Sequence, residues 1–385
     1  MMQRLGDYIR PVDVRNRDLK VERLLGLTID KAFIPSVANT IGTDLSNYKV
    51  ICENQFACSL MQVSRDGKMP VAMLKGEPGI MSPAYPMFEV SKTDELLPEY
   101  LMMWFTRSEF DREASFYAVG GVRGSLEWDD FCDMKIPVPD IKEQRNIVAE
   151  YKTLQTRIET NKKLIATLEQ TAQTLYRHTF VDNIDPNNLP EGWRMGTLGE
   201  VCEIKGGKRL PKGMELVDTP NNHPYIRVAD MSDERFVSLS DEFQYVEDEV
   251  QKEIKRYIVN AGDVIISIVG TIGNINIVDK TLDNANLTEN CVKLVNLKGV
   301  SSYYLYAVLK SPKGVDAITE GIVGGVQSKL PLYNIERIPL AIPDENVMDD
   351  FTNQTKTISD RIWLTIRENI SLKKMQTLLL SKMGA

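Results

Sequence analysis

The sequence predicts a mixed α/β chain of the α+β kind, with two globular domains of short strands and helices and two long helices. Three observations predict this fold class. First, the sequence of one half repeats in the other. Second, the β-type segments of each half are broken into short pieces by glycine, proline, asparagine and aspartate. Third, each half is followed by a long stretch without glycine or proline. The two long helices are expected to pair as an antiparallel coiled coil with pseudo-two-fold symmetry.

The repeat is clearest at the end of each half. GGVRGSLEWDDFCDMKIPVPD at 120–140 aligns without a gap with GGVQSKLPLYNIERIPLAIPD at 324–344, at an offset of 204 residues. Six of the 21 positions are identical, and the apolar positions keep their phase. Strand-like apolar segments resemble one another in general, but an ordered series of further matches favours duplication. These matches are LGDYI (5–9) with LGEVC (198–202) and YKVICENQFACS (48–59) with YIVNAGDVIIS (257–267).

This repeat divides the chain into four parts. We predict a first globular domain, a central long helix, a second globular domain with a Pro/Asn/Gly-rich linker, and a second long helix. Their bounds are 1–140, 141–182, 183–344 (linker 183–193) and 345–385. Within the halves, β-type runs at 224–229, 263–269 and 291–297 and the closing runs at 135–139 and 338–343 predict strands, and the patches at 96–118 and 301–319 predict helix.

Both long stretches carry apolar residues in alternating steps of four and three, which is the heptad pattern of a coiled coil. The polar residues Asn161 and Thr365 fall near the helix middles, where such residues fix the register of pairing. The alternative is that each helix only covers its own domain. The predicted seam consists of Tyr151, Leu154, Ile158, Asn161, Ile165, Leu168, Leu175, Ile358, Ile362, Thr365, Leu372 and Leu379.

Composition excludes several classes of protein. The net charge of −8 argues against nucleic-acid binding unless the basic residues are concentrated or a partner supplies phosphate contacts. No apolar run has the length of a membrane span, and the start has no signal-peptide core, so a cytoplasmic protein without a membrane partner is expected. The five cysteines form no C-x-x-C pair, which favours reduced, buried thiols over a disulfide framework or zinc site.

Recognisable catalytic motifs are missing from the sequence. We find no P-loop and no methyltransferase motif, and GTIGN at 270–274 is interpreted as a tight turn after a strand. His178 and His223 are far apart and lack a ligand set. The chain is therefore expected to be no enzyme, with no catalytic residue, metal or cofactor of its own.

The first candidate for binding is KGGKRLPK at 205–212, where Lys205, Lys208, Arg209 and Lys212 could bind phosphates. The glycine pair would let the backbone approach a bound surface, and Arg209 could reach a guanine edge. A solvated basic loop is the alternative.

Further candidates lie in three other segments. Arg227 follows a strand, with an ion pair to Asp230 as the alternative role. The glycine-rich loops that precede the last strand of each half carry side chains able to read adenine or guanine, although such loops can equally be plain turns. These side chains are Arg123, Gln327, Ser328 and Lys329.

The ordered motifs resemble those of one known family. IPVPDIKEQ, GWRMGTLGE, KGGKRLPKG and GDVIISIVGTIG occur in the order found in the specificity subunit of type I restriction–modification systems. The resemblance implies two target-recognition domains that each read half of a split double-stranded DNA site. It also implies helices that set the spacer and dock two methyltransferase subunits, which restriction/translocase subunits then join. S-adenosylmethionine, ATP and Mg would be bound by those partners only.

Other readings remain open at this point. The chain could be the specificity subunit of a methylation-only or other defence complex, a structural coiled-coil scaffold without base readout, or an enzyme whose motifs are unrecognised. The second half also lacks the Glu143–Gln144 pair at the start of its helix. That difference bears on whether the two helix starts bind partners equivalently.

Overall fold

The computed structural model describes residues 2–37, 42–61, 63–120, 124–182, 184–325 and 327–384. The chain forms two compact units. The first unit is Met1–Thr160 together with Asn369–Ala385, and the second unit is Asn161–Glu368. Among the described residues, no helix has both the length and the apolar composition that crossing a bilayer requires.

Among its described residues, the first unit combines ten short strands with helices. The strands are β1 (Met2–Arg4), β2 (Ile9–Pro11), β3 (Leu25–Leu27), β4 (Phe33–Pro35), β5 (Lys49–Ile51), β6 (Phe56–Cys58), β7 (Val71–Met73), β8 (Gly79–Met81), β9 (Met87–Val90) and β10 (Lys135–Pro137). The helices are α1 (Val63–Asp66), α2 (Pro98–Phe105), α3 (Ser108–Tyr117), α4 (Trp128–Asp133) and the long α5 (Ile141–Phe180), which continues into the second unit.

The second unit repeats this mixture. Its strands are β11 (Arg194–Thr197), β12 (Glu203–Gly206), β13 (Pro224–Ile226), β14 (Phe236–Val237), β15 (Gln244–Tyr245), β16 (Ile258–Val259), β17 (Val264–Ser267), β18 (Ile275–Val278), β19 (Ala285–Leu287), β20 (Cys291–Val295) and β21 (Pro339–Ile342). Its helices are α6 (Leu198–Val201), α7 (Asp248–Ile254), α8 (Ser302–Lys310), α9 (Pro312–Glu320), α10 (Leu332–Glu336) and the long α11 (Glu345–Lys382), whose end belongs to the first unit. The α+β fold class predicted from the sequence is confirmed.

Each predicted helical patch is helical and consists of two helices. α2 ends before α3 begins, and α8 ends before α9 begins. In the second unit the cause is local. The Ser311 hydroxyl accepts a hydrogen bond from the Gly314 N–H at 3.1 Å, and Pro312 occupies the first position of α9. A proline there suits a helix start but cannot continue the hydrogen bonds of α8.

Both units contain a main sheet with the same core order. The first unit has β2-β9-β6-β7, and the second has β12-β20-β17-β18 with β14 added beyond β18. The neighbours in these sheets are antiparallel except for β14, which runs parallel to β18. A second sheet of order β15-β13-β19-β16 occurs in the second unit, and the pairs β3–β4 and β5–β8 occur in the first.

The duplication seen in the sequence is repeated in the hydrogen bonds. β1 pairs with β10 as β11 pairs with β21. The Leu5 N–H donates to the Met134 carbonyl at 2.9 Å, and the Leu198 N–H donates to the Ile338 carbonyl at 2.9 Å. Met134 and Ile338 are 204 residues apart, as the sequence offset requires. The first and last strands of each half therefore close both units in the same way.

The first unit has a core of stacked aromatic rings. Phe56 lies parallel to Phe88 at 4.9 Å between ring centroids, and Phe105 meets both rings edge-on. Val148 of α5 and Met383, which follows α11, are buried in the same core. The start of one long helix and the end of the other therefore meet inside this unit, so their chain directions here are antiparallel.

The second unit uses the opposite ends of the same helices. Tyr176 and Phe180 of α5 pack with Phe351 of α11 and Tyr304 of α8, with Phe180 and Phe351 5.0 Å apart between ring centroids. Here the end of α5 meets the start of α11, and the pairing is again antiparallel. Burial of several large rings supplies much of the favourable free energy of such a core.

The two helix starts share a cap but differ one turn later. Asp140 accepts hydrogen bonds from the Lys142 and Glu143 N–H groups, and Asp344 accepts one from the Val347 N–H. Gln144 is fully buried: its Oε1 accepts from the Leu97 N–H at 2.9 Å, and its Nε2 donates to the carbonyls of Glu95 and Pro139. The missing Gln of the second half is therefore a difference in internal packing.

We expect Gln144→Met to destabilise the first unit. Methionine is the residue at the corresponding position 348, but here it would leave the Leu97 N–H and two carbonyls without partners. Each unsatisfied buried group costs about 1–3 kcal/mol. Urea unfolding followed by tryptophan fluorescence measures the change, with the exposed neighbour substitution Arg145→Met as the control. Equal unfolding midpoints for the two variants would contradict this account.

Candidate nucleic-acid interface

The basic segment 205–212 leaves β12 and lies along the backbone that joins β19 to β20. The Gly207 N–H donates to the Cys291 carbonyl at 2.9 Å, and the Lys208 N–H donates to the Leu287 carbonyl at 2.8 Å. The hydroxyl of Tyr225 donates to the Lys208 carbonyl at 2.8 Å. These bonds fix the backbone from which the basic side chains project.

Gly207 serves this internal contact, which differs from the role expected for the glycine pair. A Cβ atom at Gly207 would lie 2.0 Å from the Thr288 carbonyl oxygen and 2.4 Å from that of Leu287. At Gly206, a Cβ would meet nothing within 4 Å. The close approach is to the unit's own backbone, so glycine at 207 is required for folding of the segment.

The basic side chains of this segment differ in their surroundings. The ammonium of Lys208 lies 5.6 Å from the centroid of the Tyr257 ring, and Lys212 is exposed. The Arg209 side chain is 80% exposed, and its Nε donates to Glu289 at 2.7 Å. Burial raises the pKa of Glu289, but its hydrogen bonds and the charge of Arg209 together outweigh burial, and the pKa lies below its usual value. Arg209 is thus exposed but neutralised by a carboxylate.

Two further basic residues lie beside this segment, and sequence reasoning missed them. Leu210 and Tyr257 pack against the same small apolar cluster next to α7. Tyr257 ends a 3₁₀ turn that carries the exposed residues Lys255 and Arg256. The only sequence signal was the run KEIKRY, which looks like an ordinary solvated helix end. We call Lys208, Arg209, Lys212, Lys255 and Arg256 the basic surface.

Two predicted binding residues are engaged within the unit. Lys205 lies on the exposed face of β12, with its ammonium 2.6 Å from the Glu203 carboxylate. The Arg227 guanidinium forms two hydrogen bonds with Asp230, at 2.9 and 2.6 Å, and a third with Gln244. Asp230 is almost fully buried in this pair. The geometry of Arg227 matches the ion-pair alternative stated above.

The glycine-rich loop of the second unit is held at its base by backbone hydrogen bonds, and its described residues 324–325 and 327–328 are exposed. The N–H and carbonyl groups of Val323 and Lys329 bond to each other, each at 2.9 Å. Gly324 has a φ of +99°, a backbone conformation that favours glycine. Gln327, Ser328 and Lys329 are exposed, and Lys329 also bridges to Val269, at the turn that follows β17.

The corresponding loop of the first unit is described only in part. Arg123 lies outside the described residues. Downstream of it, the Leu126 N–H donates to the Leu60 carbonyl at 2.9 Å, as the Leu330 N–H does to the Ile268 carbonyl at 2.9 Å. The two loops therefore return to their units through equivalent bonds.

The predicted seam residues of both long helices are buried or half-buried. In the second unit the side chain of Asn161 donates to Glu368 at 3.0 Å, which joins α5 to α11, and Thr365 is buried beside this pair. Tyr176 and Phe180 are also buried, in the core of the domain. The helices thus pair with each other and cover their domains at once. The half-buried seam residues are Tyr151, Leu154, Ile165, Leu168, Leu175, Ile358, Leu372 and Leu379; Ile158 and Ile362 are buried.

The cysteines and histidines of the described residues show no arrangement for catalysis or metal binding. All five thiols are free, and four are buried, whereas Cys52 is exposed, contrary to expectation. Burial raises the pKa of Cys291 to about 12, which suppresses the thiolate. His223 contacts Asp248 at 2.9 Å, and no group of His, Cys, Asp and Glu in the described ranges could hold a metal ion.

A family model with the description "Type I restriction modification DNA specificity domain" matches residues 68–170 and 190–366. Two curated relatives are similar over most of the chain. The MjaIX type I restriction enzyme specificity subunit of Methanocaldococcus jannaschii is 23% identical over 310 residues, which is 75% of this chain and 69% of the relative. The HindI type I restriction enzyme specificity subunit of Haemophilus influenzae is 20% identical over 360 residues, which is 75% of this chain and 77% of the relative.

One solved structure has a similar fold. It is the S subunit of a type I restriction–modification system from M. genitalium. The match covers 100% of this chain and 95% of that subunit, with a TM-score of 0.57 at 14% identity. At this identity the likeness concerns the fold alone.

We expect Gly207→Ala to displace the basic segment, because the added methyl group overlaps two backbone carbonyl oxygens. Overpacking of this kind costs about 1–3 kcal/mol. Thermal melting should show a lower midpoint, and trypsin should cut after Lys208 or Arg209 faster than in the wild type. Gly206→Ala is the matched control, with space for its methyl group. Identical behaviour of the two variants would show that the close approach is unimportant.

Proposed function

Since this chain belongs to the family of type I restriction–modification DNA specificity domains, we propose that its two units each read one part of a split double-stranded DNA sequence. The observation that carries the proposal is the duplication. The family model matches once in each half of the sequence, and the two units repeat the same strand closures. Two copies of one frame with different loops suit a target whose two parts differ.

The basic surface would supply the phosphate contacts of the second unit. Lys208, Lys212, Lys255 and Arg256 project from neighbouring segments, and such clusters attract the DNA backbone whatever the net charge of the chain. Arg209 would exchange Glu289 for a phosphate or a guanine edge. Lys205 would add to the positive potential, whereas the bonds of Arg227 favour a structural role.

The glycine-rich loops would read bases. Gln327 and Ser328 are exposed on a loop whose base is fixed by two backbone bonds. A glutamine or serine that is exposed on such a loop can reach base edges in the major groove and form hydrogen bonds with them. Lys329 and, in the other half, Arg123 would contribute a charged contact next to the same edges.

Catalysis would belong to partner subunits. Members of this family recognise DNA and are not themselves catalytic. We propose that two methyltransferase subunits dock on the helices and that restriction/translocase subunits join them, with S-adenosylmethionine, ATP and Mg bound there. Partner subunits that bind DNA phosphates would also explain how a chain with a net charge of −8 can recognise DNA. DNA as the ligand is the reason for proposing a cytoplasmic location.

We also propose that the helix pair determines the spacer between the two parts of the target. α5 is one uninterrupted helix of 40 residues, and α11 is one of 38 residues. Paired helices are stiffer than a loop of the same length, so their length can specify a distance.

We expect the double substitution Lys208→Ala and Arg209→Ala to weaken DNA binding by roughly ten-fold at physiological salt and to lower the salt slope by about 1.8. The loss of two phosphate contacts is the physical reason. The measurement is fluorescence anisotropy of a labelled duplex with the complex of this chain and its methyltransferase, over a series of salt concentrations. Lys280→Ala, which removes an exposed lysine beside Asp279, is the control. A wild-type affinity and slope in the double variant would remove this surface from the interface.

Glu289→Gln provides the opposite test of the same surface. The substitution removes the carboxylate that pairs with Arg209 at 2.7 Å but keeps the side-chain volume. DNA affinity should therefore rise where the double substitution makes it fall. A fall in both would mean that Glu289 and Arg209 act as one structural unit.

The spacer proposal predicts that deletion of one heptad from each helix shortens the spacer by about three base pairs. Seven residues span about 10 Å of helix, and each base pair spans about 3.4 Å. Because Asn161 bonds to Glu368, residues 154–160 lie opposite 369–375 by the same count, and both should be deleted together. Mapping of methylated adenines in cells that carry the chain and its methyltransferase gives the motif.

The wild-type chain should give a two-part motif in this map, and the double deletion should give the same two parts with a shorter spacer. An undivided motif would refute two-part recognition. A split motif with an unchanged spacer would refute only the role of the helices. Deletion from α5 alone should abolish methylation, because it shifts α5 against α11.

A further inference from the structure

The two main sheets differ by one strand. β14 lies beyond β18 in the second unit, whereas β7, the counterpart of β18, is at the edge of the first unit's sheet. The registers give the correspondence, since β6 pairs Phe56 with Met73 and β17 pairs Val264 with Ile277. Met73 therefore occupies the place of Ile277.

In the second unit β14 satisfies the outward-facing backbone groups of β18. The Ile277 N–H donates to the Arg235 carbonyl at 2.7 Å, and the Asp279 N–H donates to the Val237 carbonyl at 3.1 Å. In the first unit, the Leu74 N–H donates to the Gln55 carbonyl at 2.8 Å, so it faces β6. Successive residues of a strand face opposite ways, so Met73 and Lys75 face outward. Within the described ranges, neither backbone bonds to another strand on that side.

The residue that precedes β14 fills the space beside the sheet. Arg235 is 1% exposed, and its guanidinium lies 4.5 Å from the centroid of the Tyr306 ring. It donates to both carboxylate oxygens of Glu169, at 3.0 and 2.6 Å, and to the hydroxyl of Ser359 at 3.2 Å. One side chain thus connects the sheet edge with α5, α8 and α11 in this unit.

The corresponding place in the first unit is a cavity of about 420 Å³. The residues 204 positions before Tyr306 and Ser359 are Met102 and Gln155, and both line it. Met73 and Lys75 of the open edge line it too. The cavity therefore adjoins the backbone groups that lack a strand partner.

Just before β7, a side chain of α3 already occupies the edge. The ammonium of Lys31 lies 2.8 Å from Asp111, and the same carboxylate oxygen accepts the Met69 N–H at 3.1 Å. The stretch without a strand partner is short, Met73–Lys75, and two of its three residues face outward, as many as β14 contains.

The charge of the site is opposite to that of its counterpart. Arg235 has a carboxylate partner in Glu169, whereas the residue 204 positions after Glu169 is Lys373. Lys75 and Lys152 share one carboxylate, Glu99, at 3.1 and 3.3 Å. Arg23 also lines the cavity, so its lining carries more positive than negative charge. An acidic side chain fits where the second unit holds an arginine.

We propose that the edge at Met73–Lys75 and the adjoining cavity accept an extended segment of the methyltransferase subunit. The segment adds as a fifth strand parallel to β7, as β14 adds to β18, and places a glutamate in the cavity between Lys75 and Lys152. Main-chain hydrogen bonds then supply affinity, and the charged cavity supplies specificity. The inference rests on the proposed function, because it takes the methyltransferase as the partner.

The first test is hydrogen exchange, measured by mass spectrometry, of the full chain alone and in complex with the methyltransferase. The amides of Met73–Lys75 should exchange at least ten-fold more slowly in the complex. Unchanged exchange in a complex that forms and methylates DNA would overturn the inference and leave the proposed function intact. Failure of the wild-type chain to bind any methyltransferase would overturn both.

Substitutions separate the two features of the site. Met73→Pro removes the outward N–H and no bond to β6, and Lys75→Glu or Lys152→Glu reverses the charge of the cavity. Each should reduce affinity for the methyltransferase at least ten-fold in titration calorimetry. Lys313→Glu, an exposed change on α9, should have no effect. The lysine variants test the site even if Met73→Pro fails to fold.

Wild-type affinity in both lysine variants would overturn the inference. So would protection of Met73–Lys75 by a DNA duplex without methyltransferase, or protection that rises with the concentration of the free chain. The first result would assign the edge to DNA, and the second to another copy of this chain.

Discussion

The burial of helix ends inside each unit is the interaction on which the rest of the structure depends. Neither domain completes its core from its own strands and short helices. The first takes Val148 and Met383, and the second takes Phe180 and Phe351. Because each core holds the start of one long helix and the end of the other, the helices run antiparallel in both units. The strands and loops are built on this shared arrangement.

The two units differ at positions whose side chains make no contact that both units share. Asp140 and Asp344 keep the same cap, because every helix start leaves N–H groups without partners. One turn later, Gln144 is buried and forms hydrogen bonds in the first unit, whereas Met348 at the corresponding position packs as an apolar side chain in the core of the second. Arg235 and the cavity beside Met102 are a larger difference of the same kind. Such divergence changes what each unit can bind without changing how it folds.

The sequence predicted the features that depend on periodicity and order along the chain. The offset of 204 residues anticipated the paired strand closures, and the heptads predicted a seam along α5 and α11. It did not predict contacts between residues distant in sequence. Lys255 joins Lys208 only because Leu210 and Tyr257 share a small cluster, and the role of Gly207 depends on the backbone at 287–288.

Arg235 shows the same limit more sharply. In the sequence SDERFVSLS it resembles any surface arginine, because nothing nearby indicates burial. Its ligands, Glu169 and Ser359, come from helices that lie before and after the domain in the chain. Only the tertiary structure brings them together.

The placement of Met383 in the first unit has a consequence for synthesis on the ribosome. The strands of that unit emerge first, but Leu380 and Met383, which pack against its core, are translated after the whole second unit. The earlier domain therefore waits with part of its apolar surface uncovered while the later one, Asn161–Glu368, can close as soon as it is made. The first domain is therefore translated first but completes its core last. A chaperone would have the most exposed apolar surface to protect while this domain is incomplete.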